Sequence, residues 1–280
     1  MVRIITDSAA DFEPIELEQN GIECIPLKVL FGTEEYEENI SLTKDLFYDK
    51  MTQFDGFPKT SQAAPQVLAD LFAAAKAAGD EAIYFTLSSA LSGTWQSAMF
   101  IREDAEYDGA YVVDTRNATG GQRMLVEYAV RLRNEGKCAR EIVEAVEALR
   151  ERIVLYACIN TLEYLYKGGR ISHLSYTLGT LAQIKPIIHV DTQGRVDIPA
   201  KAMGMRKGME HLCKQADAKK PDIDFPLYVM YTDDRSAAET LAMRLAEHGH
   251  AIHEDHIIQV GAAIGSHIGP KACGLVYVGK

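Results

Sequence analysis

Paired cysteines, long apolar runs and an excess of basic charge are all missing from this chain of 280 residues. The five cysteines, Cys24, Cys138, Cys158, Cys213 and Cys273, are scattered and include no C-x-x-C pair, so reduced thiols are expected rather than a disulfide framework. No apolar stretch approaches the roughly 20 residues that a bilayer span needs. The opening Met1-Val2-Arg3-Ile4-Ile5-Thr6-Asp7 lacks the apolar core and cleavage site of a secretory signal. The cytoplasm is therefore the expected location. Lys and Arg total 29 against 40 Asp and Glu, a net charge of -11. Phosphate backbones and anionic lipid surfaces are met by basic faces, so neither nucleic acid nor stable membrane insertion is expected. G-x-x-x-x-G-K-[ST] is absent, and Thr119-Gly120-Gly121-Gln122 does not meet G-x-G-x-x-G. Any ATP chemistry would have to come from another protein.

What is present is an ordinary globular composition, 47% hydrophobic and 25% charged, with enough length for a sizeable core in one or two domains. The first half alternates strand-like runs (Val2–Thr6, Gly21–Phe31, Ala82–Leu87, Ala110–Asp114) with helical ones (Pro65–Ala78, Ser92–Arg102, Gly120–Glu135, Ala139–Arg152). Ile142, Val143, Val146 and Leu149 line one side of the last helix, opposite Glu141, Glu144 and Glu147, as on a surface helix against a sheet. This alternation predicts an α/β fold with a mostly parallel sheet, whose ligands bind beyond the carboxyl ends of the strands. Asp7-Ser8, Ser88-Ser89 and Asp114-Thr115 fall there and are expected to be neighbours. The second half mixes a strand (Val154–Asn160), a short helix (Gly179–Ala182) and a hairpin (Ile187–Val190, Gly194–Val196) with later elements. Those are helices at Arg206–Ala216 and Ser236–His248 and strands at Leu227–Tyr231, His256–Val260 and Gly274–Val278. A second, smaller α+β domain is expected, with domains at 1–158 and 159–280, the ligand between them, and the last strand free to join either.

Ala82–Ala98 is the most informative stretch. A buried strand runs into Ser88, Ser89, Ser92, Gly93 and Thr94 and then into a helix. Such a junction gathers free backbone N–H groups and the positive end of a helix dipole, which suits a carboxylate or phosphate. The same residues also serve as ordinary helix caps in a βα loop. A second hydroxyl cluster, Pro58-Lys59-Thr60-Ser61-Gln62, precedes the helical run 64–78, so two hydroxyl-bearing helix starts could share one head group.

Ile4-Ile5-Thr6-Asp7-Ser8, Lys59-Thr60-Ser61-Gln62 and Ser88-Ser89-Ala90-Leu91-Ser92-Gly93-Thr94 resemble elements of the DegV family. So do Val113-Asp114-Thr115, Leu162-Glu163-Tyr164-Leu165, Lys167-Gly168-Gly169-Arg170-Ile171, Ile184-Lys185-Pro186-Ile187 and His267-Ile268-Gly269-Pro270. They occur in the family's order along nearly the whole chain. The resemblance implies a non-enzymatic carrier that holds one long-chain fatty acid non-covalently between two α/β domains, without other cofactor or metal. It also implies presentation of the acyl carboxylate to a separate ATP-binding fatty acid kinase. By position in the motifs, Thr60 and Ser92 are the hydroxyl donors, and Ser61 and the Gly93 backbone complete the cradle. Arg170 is the cationic candidate, with a structural salt bridge as its alternative role. His267, between glycines in an expected loop, could donate to the head group or be satisfied by local backbone. The resemblance further implies a basic residue after the second-domain hairpin that helps to dock the kinase, and Lys201, Arg206 and Lys207 are the candidates in that region.

A long tail and a small acid head make different demands. Each buried methylene contributes about 0.8 kcal/mol, so about fourteen give roughly 11 kcal/mol before ordering costs. A buried carboxylate needs donors. Leu27, Phe31, Leu91, Ile159, Leu165, Ile171, Leu178, Leu181, Ile184 and Ile264 are candidates for the tail wall, although each would serve equally as core. A serine hydrolase is the rival reading, with Ser92, His267 and Asp114 or Asp7 as a triad, but G-x-S-x-G is missing. His248, His250, His253 and His256 form a dense run whose spacing fits neither H-E-x-x-H nor a zinc knuckle, so a helix end leading to a strand is expected there.

Overall fold

Parallel strands β1 (Val2–Asp7), β2 (Ile22–Ile25), β6 (Glu81–Thr86) and β7 (Ala110–Asp114) form the first sheet of the computed structural model, in the order β2-β1-β6-β7. The structure describes residues 1–173, 176 and 183–280. Helices supply the crossovers: α1 (Pro14–Asn20), α3 (Pro65–Ala78) and α4 (Thr94–Asp104). The α3 helix starts on Pro65, which needs no N–H partner in the first turn, and buries Leu68, Phe72 and Ala75 at helical spacing. These side chains join Ala98 of α4 and Ile5, Ile25 and Tyr84 of the sheet in one apolar layer.

Helices α5 (Thr119–Asn134) and α6 (Ala139–Arg150) cover the opposite face. There Leu125, Ala129, Ile142 and Val146 pack on Ile4, Ile83 and Phe85, and the same apolar cluster continues to Leu155, Met230 and Val276 of a second sheet. That sheet contains β8 (Ile153–Cys158), β9 (Ile184–Val190), β10 (Val196–Met203), β11 (Tyr228–Tyr231), β12 (Ile257–Gln259) and β13 (Cys273–Val278). Its order is β10-β9-β8-β13-β11-β12, antiparallel except for β11 beside β12. Helices α8 (Met205–Ala218) and α9 (Arg235–Glu247) bury Leu212, Ala216, Leu241 and Leu245 against its outer face. A core shared through α5 thus joins a parallel α/β half to an α+β half.

The expected alternation holds, with instructive departures. Gly21–Phe31 is not one strand. Pro26, which has no N–H to give a ladder, falls between β2 and β3 (Lys28–Phe31). The β3 strand belongs to a small antiparallel sheet, β4-β3-β5, with β4 (Glu34–Glu37) and β5 (Lys59–Ser61). Neither that sheet nor α1 and α2 (Lys44–Gln53) was expected from periodicity. Thr60 is accordingly on a strand rather than at a helix start. The last strand enters the second sheet, where β13 pairs with β8 and β11. The β8 strand precedes the boundary expected at 158, yet its partners are β9 and β13. The short helix expected at Gly179–Ala182 lies outside the described residues. Among the described residues no helix is long and apolar enough to cross a membrane.

Candidate functional site

A cavity of about 430 Å³ opens between the two halves, a size typical of sites for small organic ligands. Leu27 and Leu87 of the first half face Leu155, Ile188, Val190 and Met230 of the second across it. The space exists because the floor residues are small. Ala157 and Gly274 are directly opposed on β8 and β13, and Ala118, Ala263 and Ala272 add no bulk. Helix α7 (Glu163–Lys167) contributes Leu165, and α10 (Ala262–Ile268) contributes Ala263, Ile264 and His267.

All six residues singled out in the sequence, Thr60, Ser61, Ser92, Gly93, Arg170 and His267, line this one cavity. Thr60 Oγ1 and His267 Nε2 are 2.8 Å apart. Arg170 donates from Nε to the Leu91 carbonyl at 2.9 Å and from Nη1 to the Gly168 carbonyl at 2.5 Å, so its guanidinium ties the segment after α7 to the Ser92 loop. Among the described residues it pairs with no carboxylate and grips carbonyls instead of forming the salt bridge that was its alternative role. Ser92 Oγ exchanges a 2.9 Å hydrogen bond with Thr94 Oγ1, and Gly93 stands at the start of α4.

His267 sits in α10, not in a loop. The two glycines that suggest a loop have other work: Gly269 ends the helix at φ +72, and Gly265 allows close packing. A Cβ on Gly265 would fall 2.6 Å from Tyr48 Oη and 2.7 Å from Phe47 Cε1. Gly265→Ala is expected to destabilise the fold by about 1–3 kcal/mol, read as a lower urea midpoint at unchanged slope. The His267 Nδ1 is buried against Gly168 and has no hydrogen-bond partner among the described residues. Burial, reinforced by the charge of Arg170, pushes the imidazole down to about 3, so the ring is neutral near pH 7.

Neither acid proposed for a triad reaches His267. Asp114 accepts from Ser89 N, Ser89 Oγ and Arg116 N, and Asp7 accepts from Leu87 N, Ala9 N and Gln122 Nε2. A nucleophile, a base and its orienting acid are not assembled. The three strand ends are neighbours as expected, but Ser88 and Ser89 are spent on Gly194 and Asp114. Of the tail candidates, Leu27, Leu91, Leu165 and Ile264 line the cavity. Phe31 packs on Phe47 and Phe54, Ile159 and Ile171 join a neighbouring cluster, and Ile184 pairs with Met203 at the far end of the hairpin. Leu178 and Leu181 lie outside the described residues. In the histidine-dense run, His248 and His250 both meet Asp217, His253 meets Asp255, and His256 packs on Tyr228.

Behind the wall lies a group of carboxylates in which Asp7 belongs to a sequence motif and Asp11 and Glu38 do not. Asp7 receives Leu87 N, Asp11 receives Gly261 N, and Glu38 receives Ala263 N and Ser8 Oγ; Ser8 Oγ in turn accepts from Leu27 N. Three buried carboxylates thus hold three segments at the cavity wall, at Leu27, Leu87 and Gly261–Ala263. Burial pushes Asp7 and Asp11 up to about 6 and Glu38, which also feels the charge of Asp11, up to about 7.

Fold and cavity together define an α/β protein of two main sheets and one small one, with a mainly apolar chamber between the main sheets and a polar cluster on its wall. The family model described as "Uncharacterised protein, DegV family" matches residues 1–280, and the chain belongs to the DegV family. A DegV domain-containing protein of Clostridium perfringens is 32% identical over 284 residues, covering 99% of this chain and 97% of that protein. A fatty-acid-binding DegV family protein from Thermus thermophilus has a similar structure, with a TM-score of 0.89 and 29% identity over 100% of this chain and 99% of that one. DegV of Bacillus subtilis, a fatty acid binding protein, matches with a TM-score of 0.84 and 27% identity over 100% and 99%.

Proposed function

We propose that this protein binds one long-chain fatty acid non-covalently in the cavity and acts as a carrier rather than an enzyme. The observation that carries the reading is the convergence of Thr60, Ser61, Ser92, Gly93, Arg170 and His267 on the wall of one mainly apolar chamber. The fatty-acid-binding relatives of the same fold support it. The acyl chain lies along the apolar wall, and the carboxylate meets the hydroxyl cluster beside the start of α4, where the helix dipole favours negative charge.

His267 sets the direction of the hydrogen bonds. Its ring is neutral and carries one N–H. With that proton on Nε2, the ring donates to Thr60 Oγ1 and frees the Thr60 hydroxyl to donate to the carboxylate. Nδ1 then keeps a lone pair in its unpartnered position, which costs less than burying an unpaired N–H. Ser92 donates from the other side, and Arg170 supplies positive potential while it grips Leu91 and Gly168.

The hydroxyl cluster borders Gln62 and Gly93, both exposed, so a second protein can reach the head group. We assign that role to a separate ATP-dependent fatty acid kinase, or to another acceptor in lipid metabolism. Lys201, Arg206 and Lys207 are exposed on β10 and the first turn of α8 and suit such a contact. The test is mass spectrometry of an organic extract from purified protein, with Thr60→Ala/Ser92→Ala as comparison. One C14–C18 fatty acid per chain in the wild type, largely lost from the double variant, is the expected result. A wild type that yields no lipid and takes up no added palmitate or oleate refutes the reading.

A further inference from the structure

Gln62 directly follows β5 and lines the cavity beside Thr60, Ser61, Ser92 and Gly93. Its Oε1 accepts a 2.8 Å hydrogen bond from Ser97 Oγ, near the start of α4. With the oxygen held there, the amide nitrogen is turned over Gly93: a Cβ at that position would fall 2.5 Å from Gln62 Nε2. Any residue larger than glycine at 93 would push this amide away. Among the described residues Nε2 donates to no group. The exposed rim of the cavity therefore carries an amide oriented through its oxygen by Ser97, with no partner for its N–H bonds among the described residues, in a cluster of groups that favour an anion.

We infer that Gln62 is a further head-group residue: Nε2 donates to the carboxylate of the bound acid, and Ser97 orients it for that task. This rests on the fatty-acid reading and deepens it, because a donor aimed at the head group selects an acid over a neutral lipid of equal chain length. The competing role is a staple that merely joins β5 to α4. The two roles separate in Gln62→Glu. Its carboxylate still accepts from Ser97 Oγ, so the staple survives, but the donor is gone and a like charge faces the ligand.

The experiment measures dissociation constants of palmitate and hexadecanol for delipidated wild type, Gln62→Glu and Gln62→Ala. Hydrogen bonds to charged groups are strong enough that Gln62→Ala should weaken palmitate about tenfold, and Gln62→Glu by about tenfold to a hundredfold, while hexadecanol changes little in either. Equal losses for both lipids, or wild-type affinity for palmitate in Gln62→Glu, overturn the inference and leave the fatty-acid reading standing. A wild type that binds neither lipid overturns the fatty-acid reading, and this inference with it.

Discussion

Ala157→Phe is expected to leave the chain folded and to abolish lipid retention. Ala157 lies on β8 opposite Gly274, where both residues border the cavity, so a benzyl group there occupies ligand space rather than neighbouring core. Each methylene excluded costs the acyl chain about 0.8 kcal/mol, so losing about five weakens binding by roughly 4 kcal/mol, near a thousandfold. Removing one hydrogen bond to the head group costs about 1.5–3 kcal/mol. The tail therefore dominates affinity, and the head group sets register and chemical selection. The check is lipid content by mass spectrometry together with the thermal midpoint of the emptied protein. A folded variant that still carries lipid at wild-type stoichiometry would place the acyl chain elsewhere.

That cavity was the least legible part of the sequence. The alternation of strands and helices and the amphipathic face of α6 follow from local periodicity, which survives folding because one side of each element is buried. The order of motifs pointed to six residues that come together in space, although they span Thr60 to His267. The wall followed no such rule. A cavity is missing volume, and Ala157, Gly274 and Ala263 read as unremarkable core residues until the opposing strand is known. Phe31 and Ile159 have the composition of a lipid wall yet fill solid core. His267 was misplaced in a loop because glycine signals both turns and close packing, and at Gly265 packing against Phe47 and Tyr48 decides. Thr60 was misplaced at a helix start because three residues make too short a strand for periodicity to register.

Glu38→Ala is expected to cost about 3 kcal/mol of stability and to loosen the cavity wall as well. The substitution leaves the Ala263 N–H and the Ser8 hydroxyl buried without their acceptor, at about 1–3 kcal/mol each, and relief of repulsion from Asp11 returns part of that. Ser8 also holds Leu27 N, so two lining segments lose support together. The charge state of Glu38 gives a sharper test. Burial holds its carboxyl up to about 7 in the folded chain, against an ordinary value of 4.5. As pH rises above about 4.5 the unfolded chain releases this proton and the folded chain does not, so the folded state loses stability until about pH 7 and no further. His267 works in the opposite sense: its folded value near 3 lies below the unfolded 6.5, so stability is lost as pH falls through that window. A wild-type profile mixes these effects with those of Asp7 and Asp11, whose carboxyls burial also raises, to about 6, whereas the difference between wild type and Glu38→Gln isolates Glu38. Urea unfolding from pH 5 to pH 7.5 should show the wild type losing up to about 3 kcal/mol relative to Glu38→Gln. A difference that stays constant with pH would mean that Glu38 is ionised throughout, and that Ser8 and Ala263 are held by a charge rather than by a proton-sharing acid.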